Sequence, residues 1–342
     1  MNMNVSAQLA ILRKRMSDTR DVYEFAIGAG GQGLLVKCFG FVPDPGTLAS
    51  LRRSFIDAGS LPAGSEVFNV FVGTQDDLRA LLSEEMVSAP GRNVYADDGI
   101  RMIFSYEHAL FSVYHAATAE TFIWLCRDDR FEEKYITHPF VTELSWWAQR
   151  HGMLLLHGAS VGVDGAGVVI SGLSGSGKST LSMSALLYDM DFVSDDYLLL
   201  SKRSGDVMSH HIFSSGYLTE STLRLLPEYE PHVIYKSEAR NKYVINLESF
   251  DKYLVSDLHI KAIVVPHIAN VSEPSIAKTK SGQGLVNLIA SSSAQNKEVR
   301  NASFFLTFMQ MVKALPVYDM QLSADVRQNA KYLRQWISQF QS

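Results

Sequence analysis

GVVISGLSGSGKSTLSMSALLYDMDFVSDDYLLLS, residues 167–201, is the stretch that decides the fold. Its apolar opening, GVVIS, reads as a buried strand, and the run after Gly177 reads as a helix over 178–189. DFVSDDYLLLS then reads as a second strand over 191–201. Strand, glycine loop, helix, strand is the order of a sheet that carries a ligand at its edge, so the chain is read as α/β. Between the first strand and the helix, Gly172-Leu173-Ser174-Gly175-Ser176-Gly177-Lys178-Ser179 satisfies G-x-x-x-x-G-K-[ST] in full. Glycines let successive backbone N–H groups turn toward a phosphate, and the helix that begins there adds its positive end. Lys178 is expected to reach the β- and γ-phosphates, and the Ser179 hydroxyl to complete a magnesium shell. Gly172, Ser174, Gly175, Ser176, Gly177, Lys178, Ser179 and Thr180 are the expected contacts to ATP or another nucleoside triphosphate, with Mg2+ as the second cofactor.

The second strand carries two adjacent carboxylates, Asp195 and Asp196, eighteen residues beyond Lys178. Neighbouring residues on a strand point to opposite faces, so the two serve one ion only if the strand has ended or bulged there. Separate roles follow, one carboxylate for the metal and one to accept the proton of an attacking hydroxyl. A pair making only turn hydrogen bonds is the plainer alternative. Upstream, LLLHGASV ends an apolar strand on His157, twenty-one residues before Lys178, either as a core histidine or as a partner in the site. Arg240 and Lys242, in SEARNKYVINL, are candidates to stabilise charge on a transferring phosphoryl group, with Arg224 a second choice; a solvated basic loop is the alternative.

Outward from this stretch the chain divides by pattern. Residues 1–140 read as a strand-rich α+β domain for substrate recognition or assembly. A short helix over 8–16 is followed by antiparallel strands at 23–27, 34–42, 67–73, 100–107, 109–117 and 121–127. A helix from His138-Pro139 to Gly152 opens the second domain, 141–342, which adds strands near 153–163, 242–248 and 261–268, and at PVYDMQLS. Helices are expected around 298–313 and 324–340, and the Ser-, Asn- and Gln-rich stretch 269–297 as a mobile loop. Gly28, Gly30 and Gly33 fit G-x-G-x-x-G, but LLVKCFGFV follows where a dinucleotide site needs a helix, so a hairpin turn is expected.

A net charge of −5 leaves no basic excess for a phosphate backbone, which argues against nucleic acid as a partner. No apolar stretch is long enough to span a bilayer, and the opening residues do not read as a signal peptide, so a cytoplasmic protein without a membrane partner is expected. Cys38 and Cys126 lack metal-ligand spacing and read as buried thiols.

HGASVGVDGAGVVISGLSGSGKSTLS, with the paired aspartates after it, resembles the P-loop superfamily of HPr kinase/phosphorylase and phosphoenolpyruvate carboxykinase, most closely over residues 153–201 and more weakly to about 325. The resemblance implies an HPr kinase-like P-loop kinase domain with a mixed sheet. It also implies a Mg-dependent transfer of the γ-phosphoryl group of ATP to a serine-type hydroxyl, with Asp196 as general base and His157 as an active-site partner. Lys178 would lie on the phosphates, Ser179 and Asp195 on the metal, and Glu220, by its interval, would be a further metal ligand. An IEIRGLG-type HPr-binding stretch is absent, so the resemblance points to a related kinase and not to HPr kinase itself. Kinases of free serine and kinases that modify lasso-peptide precursors share the pattern. A small-molecule or peptide substrate, a lasso-peptide precursor among them, is therefore implied, and a homo-oligomer is the expected state. A non-catalytic nucleotide-responsive binding protein and a P-loop ATPase stay open beside the kinase.

Overall fold

A computed structural model of the chain describes residues 5–97, 99–107, 109–126, 138–237, 241–269, 271–279, 286, 288–289, 302–313 and 315–341. The chain forms two compact units, one of residues 1–48 and 55–139, the other of residues 49–54 and 140–342. Both are built on mixed sheets.

The first unit holds β1 (Val22–Ala29), β2 (Gln32–Phe39), β3 (Phe55–Ile56), β4 (Glu66–Gly73), β5 (Asn93–Asp97), β6 (Ile100–Ser105), β7 (Leu110–His115) and β8 (Glu120–Cys126). They form one sheet in the order β3-β1-β2-β4-β8-β7-β6-β5. The antiparallel expectation is corrected at its centre, where β2–β4 and β4–β8 are parallel. Parallel neighbours need a crossover, and helices supply it at Pro45–Leu51, Gln75–Leu81 and Glu84–Ser88. The second of these starts on a capping box: the Asp77 N–H donates to the Thr74 hydroxyl at 3.2 Å, and the Thr74 N–H donates to the Asp77 carboxylate at 2.8 Å. Gly30 and Gly31 both sit at positive φ and close the two-residue turn between β1 and β2, so the glycine pattern there makes a hairpin. Cys38 and Cys126 are buried thiols, and burial pushes the Cys38 thiol up to about 12.

The second unit opens with a helix, Val141–Arg150, followed by β9 (Leu154–His157), β10 (Ala159–Val163), β11 (Ala166–Ile170), the helix Lys178–Leu187, β12 (Asp191–Ser194), β13 (Tyr197–Arg203) and β14 (Asp206–His210). A small sheet follows from β15 (Ser215–Leu218), β16 (Val233–Ser237) and β17 (Lys242–Asn246). Then come β18 (Asp257–Ile268), β19 (Ser275–Lys278), the helix Ala302–Val312, β20 (Val317–Leu322) and the helix Val326–Ser338. β19 lies inside the stretch expected to be a loop; most of the rest of 280–297 lies outside the described residues. The main sheet runs β12-β10-β11-β18-β14-β13-β9, and β20 pairs with β18 beyond β14.

The runs 153–163 and 191–201, each read as one strand, are each broken once, and the breaks face one another. β9 pairs with β13 and β10 with β12, so the two chains exchange partners between Gly158 and Asp195–Asp196, where the Gly158 N–H donates to the Asp196 carbonyl at 3.2 Å. The approach at Gly158 is close: a Cβ would stand 2.9 Å from Leu198 and 3.2 Å from the Ile170 carbonyl, so a larger residue would make its neighbours shift. Strands buried on both faces read as unbroken apolar runs. Val168, Ile170, Ala262 and Val264 pack toward Leu181, Leu186, Leu333 and Ile337. The alternate residues Val169, Ile263 and Val265 pack toward Phe304 and Phe308.

Candidate active site

The break in the sheet holds the site. Beside it, β11 ends in the loop 171–177, anchored where the Ser171 N–H donates to the Val264 carbonyl at 2.9 Å. Gly177 caps the helix Lys178–Leu187 at φ 96°, and a Cβ there would stand 2.6 Å from Leu322. Lys178, buried, donates from Nζ to the Gly172 and Leu173 carbonyls at 2.8 and 3.3 Å. Burial pulls its pKa below the ordinary lysine value, while Asp195 and Asp196 oppose that shift.

Asp195 and Asp196 leave the ladder together, so alternation along a strand does not govern them, and their surroundings differ. Asp195 accepts from the Ser182 hydroxyl at 2.6 Å and from the Tyr217 N–H at 3.5 Å. Burial raises its pKa, with Asp196 adding to the shift and both hydrogen bonds opposing it. Asp196 meets Nε2 of His157 through Oδ1 at 2.9 Å. Because Tyr197 on β13 stands opposite His157 on β9, the residue just before β13 falls beside the imidazole.

These groups line one cavity of about 790 Å3. It brings together His157, Ser174, Gly175, Gly177, Lys178, Ser179, Thr180, Asp195, Asp196 and Lys242. Gly172 and Ser176 shape the loop behind it: a Cβ at Gly172 would stand 2.5 Å from the Ser176 hydroxyl. Glu220, expected as a metal ligand, is not among the residues that line the cavity. It stands at the exposed start of the helix Glu220–Leu225 and is ion-paired with Arg224 one turn on, which also takes up that arginine. Arg240 lies outside the described residues. The sequence reading missed a wall of linked hydroxyls. Thr180 meets Thr222 at 3.1 Å, Thr222 meets Thr219 at 3.0 Å, and Thr219 meets Ser221 at 2.9 Å. The signal was in T-E-S-T, where Thr219 caps its helix by accepting from the Thr222 N–H at 3.2 Å. An apolar wall of Ile268, Leu322 and Val326, next to Asn329, was also missed.

The cradle fits a phosphate group. The Ser176 hydroxyl is buried without a hydrogen-bond partner among the described residues, beside a buried ammonium and a helix N-terminus. A magnesium ion keeps several waters and takes only one or two carboxylates, so Ser179 with Asp195 or Asp196 is a sufficient protein contribution. No cluster of three or more His, Cys, Asp or Glu able to hold a metal by themselves occurs among the described residues.

No protein-family model matches the chain, and no curated protein matches it in sequence. A similar solved structure is that of the Hpr(Ser) kinase/phosphatase from Coxiella burnetii, at 10% identity and a TM-score of 0.31, covering 55% of this chain and 99% of that one. No helix among the described residues is long and apolar enough to cross a membrane.

Proposed function

We propose that this chain is a Mg2+-dependent kinase that phosphorylates a hydroxyl group on a small molecule or peptide. The observation that carries the reading is the His157–Asp196 hydrogen bond, 2.9 Å, inside the same cavity as Lys178 and Ser179. ATP with its magnesium ion would supply the γ-phosphoryl group and the charge that makes it an electrophile. The loop 172–177 holds phosphates through backbone N–H groups, and the Ser176 hydroxyl and the Lys178 ammonium add two further donors. Ser179 and Asp195 are the residues to hold the metal. Asp196 accepts the proton of the acceptor hydroxyl, and His157 fixes the orientation of its carboxylate. Lys242, which lines the cavity, stabilises charge on the group in transfer.

The test is incubation with γ-labelled ATP, Mg2+ and a panel of hydroxyl acceptors, followed by a cell extract read by mass spectrometry for a gain of one phosphoryl group. Asp196→Asn is expected to lower transfer by about 10²- to 10⁴-fold while nucleotide affinity stays within a few-fold. Tight nucleotide binding with no transfer to any acceptor would replace the kinase by a nucleotide-responsive binding protein.

A further inference from the structure

A second group of chemically active side chains stands away from the cavity, on the outer face of the same sheet. Over β13, β14 and the start of β18, burial alternates. Leu200, Val207, Leu258 and Ile260 point into the core, while Ser201, Met208, Asp257 and His259 stand on the opposite, more open face. On that open face His210 is directly opposite Asp257 on one side and Leu199 on the other. Ser201, two residues beyond Leu199, shares the face and lies diagonally across from His210.

The row is hydrogen-bonded end to end. Nδ1 of His210 contacts the Asp257 carboxylate, and Nε2 of His210 lies 2.7 Å from the Ser201 hydroxyl. A carboxylate only accepts, so Nδ1 carries the imidazole proton. Nε2 is then the acceptor and the Ser201 O–H the donor. This order of nucleophile, base and orienting acid defines an activated serine. Exposure is graded to suit it: the His210 side chain is 6% exposed and fixed, Asp257 is 49% exposed at the rim, and Ser201 is intermediate. Ser201 lies five residues along the chain from Asp196, roughly 17 Å in extended chain, so the row is separate from the proposed phosphoryl-transfer site.

We propose that Ser201, His210 and Asp257 form a second catalytic site, an activated serine that cleaves small activated carboxylic esters. The Ser201 oxygen forms a bond to the acyl carbon as its proton passes to Nε2 of His210. The ester C–O bond then breaks, and the leaving alkoxide takes that proton from Nε2. Water attacks the acyl-serine in the same way, giving its proton to Nε2, and the proton returns to Ser201 as the carboxylic acid departs.

The intact chain is treated with a fluorophosphonate probe and mapped by peptide mass spectrometry. In the labelling step Oγ bonds to phosphorus, fluoride leaves and the proton moves to Nε2. One adduct is expected at Ser201, absent when the chain is unfolded in urea, and its rate should fall about 10²-fold in Asp257→Asn and His210→Gln. Asp257 is half exposed, so its replacement leaves the core untouched, and the wild-type adduct tests the site with no variant at all. No adduct at Ser201, or Asp257→Asn labelling at the wild-type rate, overturns the proposal.

Discussion

Adjacent residues diverge most at Asp195 and Asp196: one is sealed between Ser182 and Tyr217, the other is turned to His157. The sequence supplied both carboxylates and the histidine in register. The difference in their surroundings comes from the break in the strand, which frees the two from alternating faces. A less conspicuous residue, His211, carries a prediction of its own. Its Nδ1 donates to the Val193 carbonyl at 2.7 Å, and its Nε2 accepts from the Ser214 hydroxyl at 3.0 Å, so the buried ring is held neutral. Burial pushes its pKa down from 6.5 to about 4. Its folded pKa is depressed, so its contribution is complete above the unfolded value and is lost as pH falls through that window. The loss amounts to about 3 kcal/mol. Thermal melts at about pH 7 and pH 4 should show a smaller drop in Tm for His211→Gln than for wild type, from a lower starting point. Equal drops would show that His211 does not set the acid sensitivity.

Elements place the cradle. The helix Lys178–Leu187 begins on a residue that must be glycine twice over, by its φ of 96° and by the 2.6 Å approach of a Cβ to Leu322. Gly177→Ala should therefore cost about 1–3 kcal/mol in strain and weaken nucleotide binding by roughly tenfold or more. Calorimetric titration with ATP checks it, and unchanged affinity would mean that the loop adapts around the new side chain. The glycine was legible from the motif. The wall that presses on it was not, because β20 is more than 140 residues away in the chain and reaches the loop only by pairing with β18. The hydroxyl wall at Thr219–Thr222 escaped for a related reason: a short helix cap looks the same in a sequence whether or not it faces a cavity.

At the scale of the whole molecule, residues 49–54 belong to the second unit although their neighbours in sequence belong to the first. Arg53 is bonded to the Asp251 carboxylate and the Leu254 carbonyl. The Ser54 hydroxyl meets the Ile212 carbonyl at 2.9 Å, and the Ser214 N–H donates to the Ser50 carbonyl at 2.7 Å. A fragment of residues 140–342 leaves these partners bare and should melt below the corresponding transition of the full chain. Arg53→Ala in the full chain should cost about 1–3 kcal/mol. Scanning calorimetry of the three proteins decides it, and a fragment that melts with the full chain would show that the strap contributes nothing.

The sequence by itself determined the glycine loop 172–177, the strands on either side of it and the charged residues around it, because each rests on local backbone geometry or on a short apolar run. It also carried the β1–β2 turn, since two glycines at positive φ are a local requirement. Tertiary structure alone decided which carboxylate meets His157, that Glu220 turns outward to Arg224, and that β2, β4 and β8 run parallel. It also decided that Ser201, His210 and Asp257, spread over 57 residues, fall in one row. Those outcomes depend on which strands pair and in what register, and pairing is settled by packing between segments far apart in the chain.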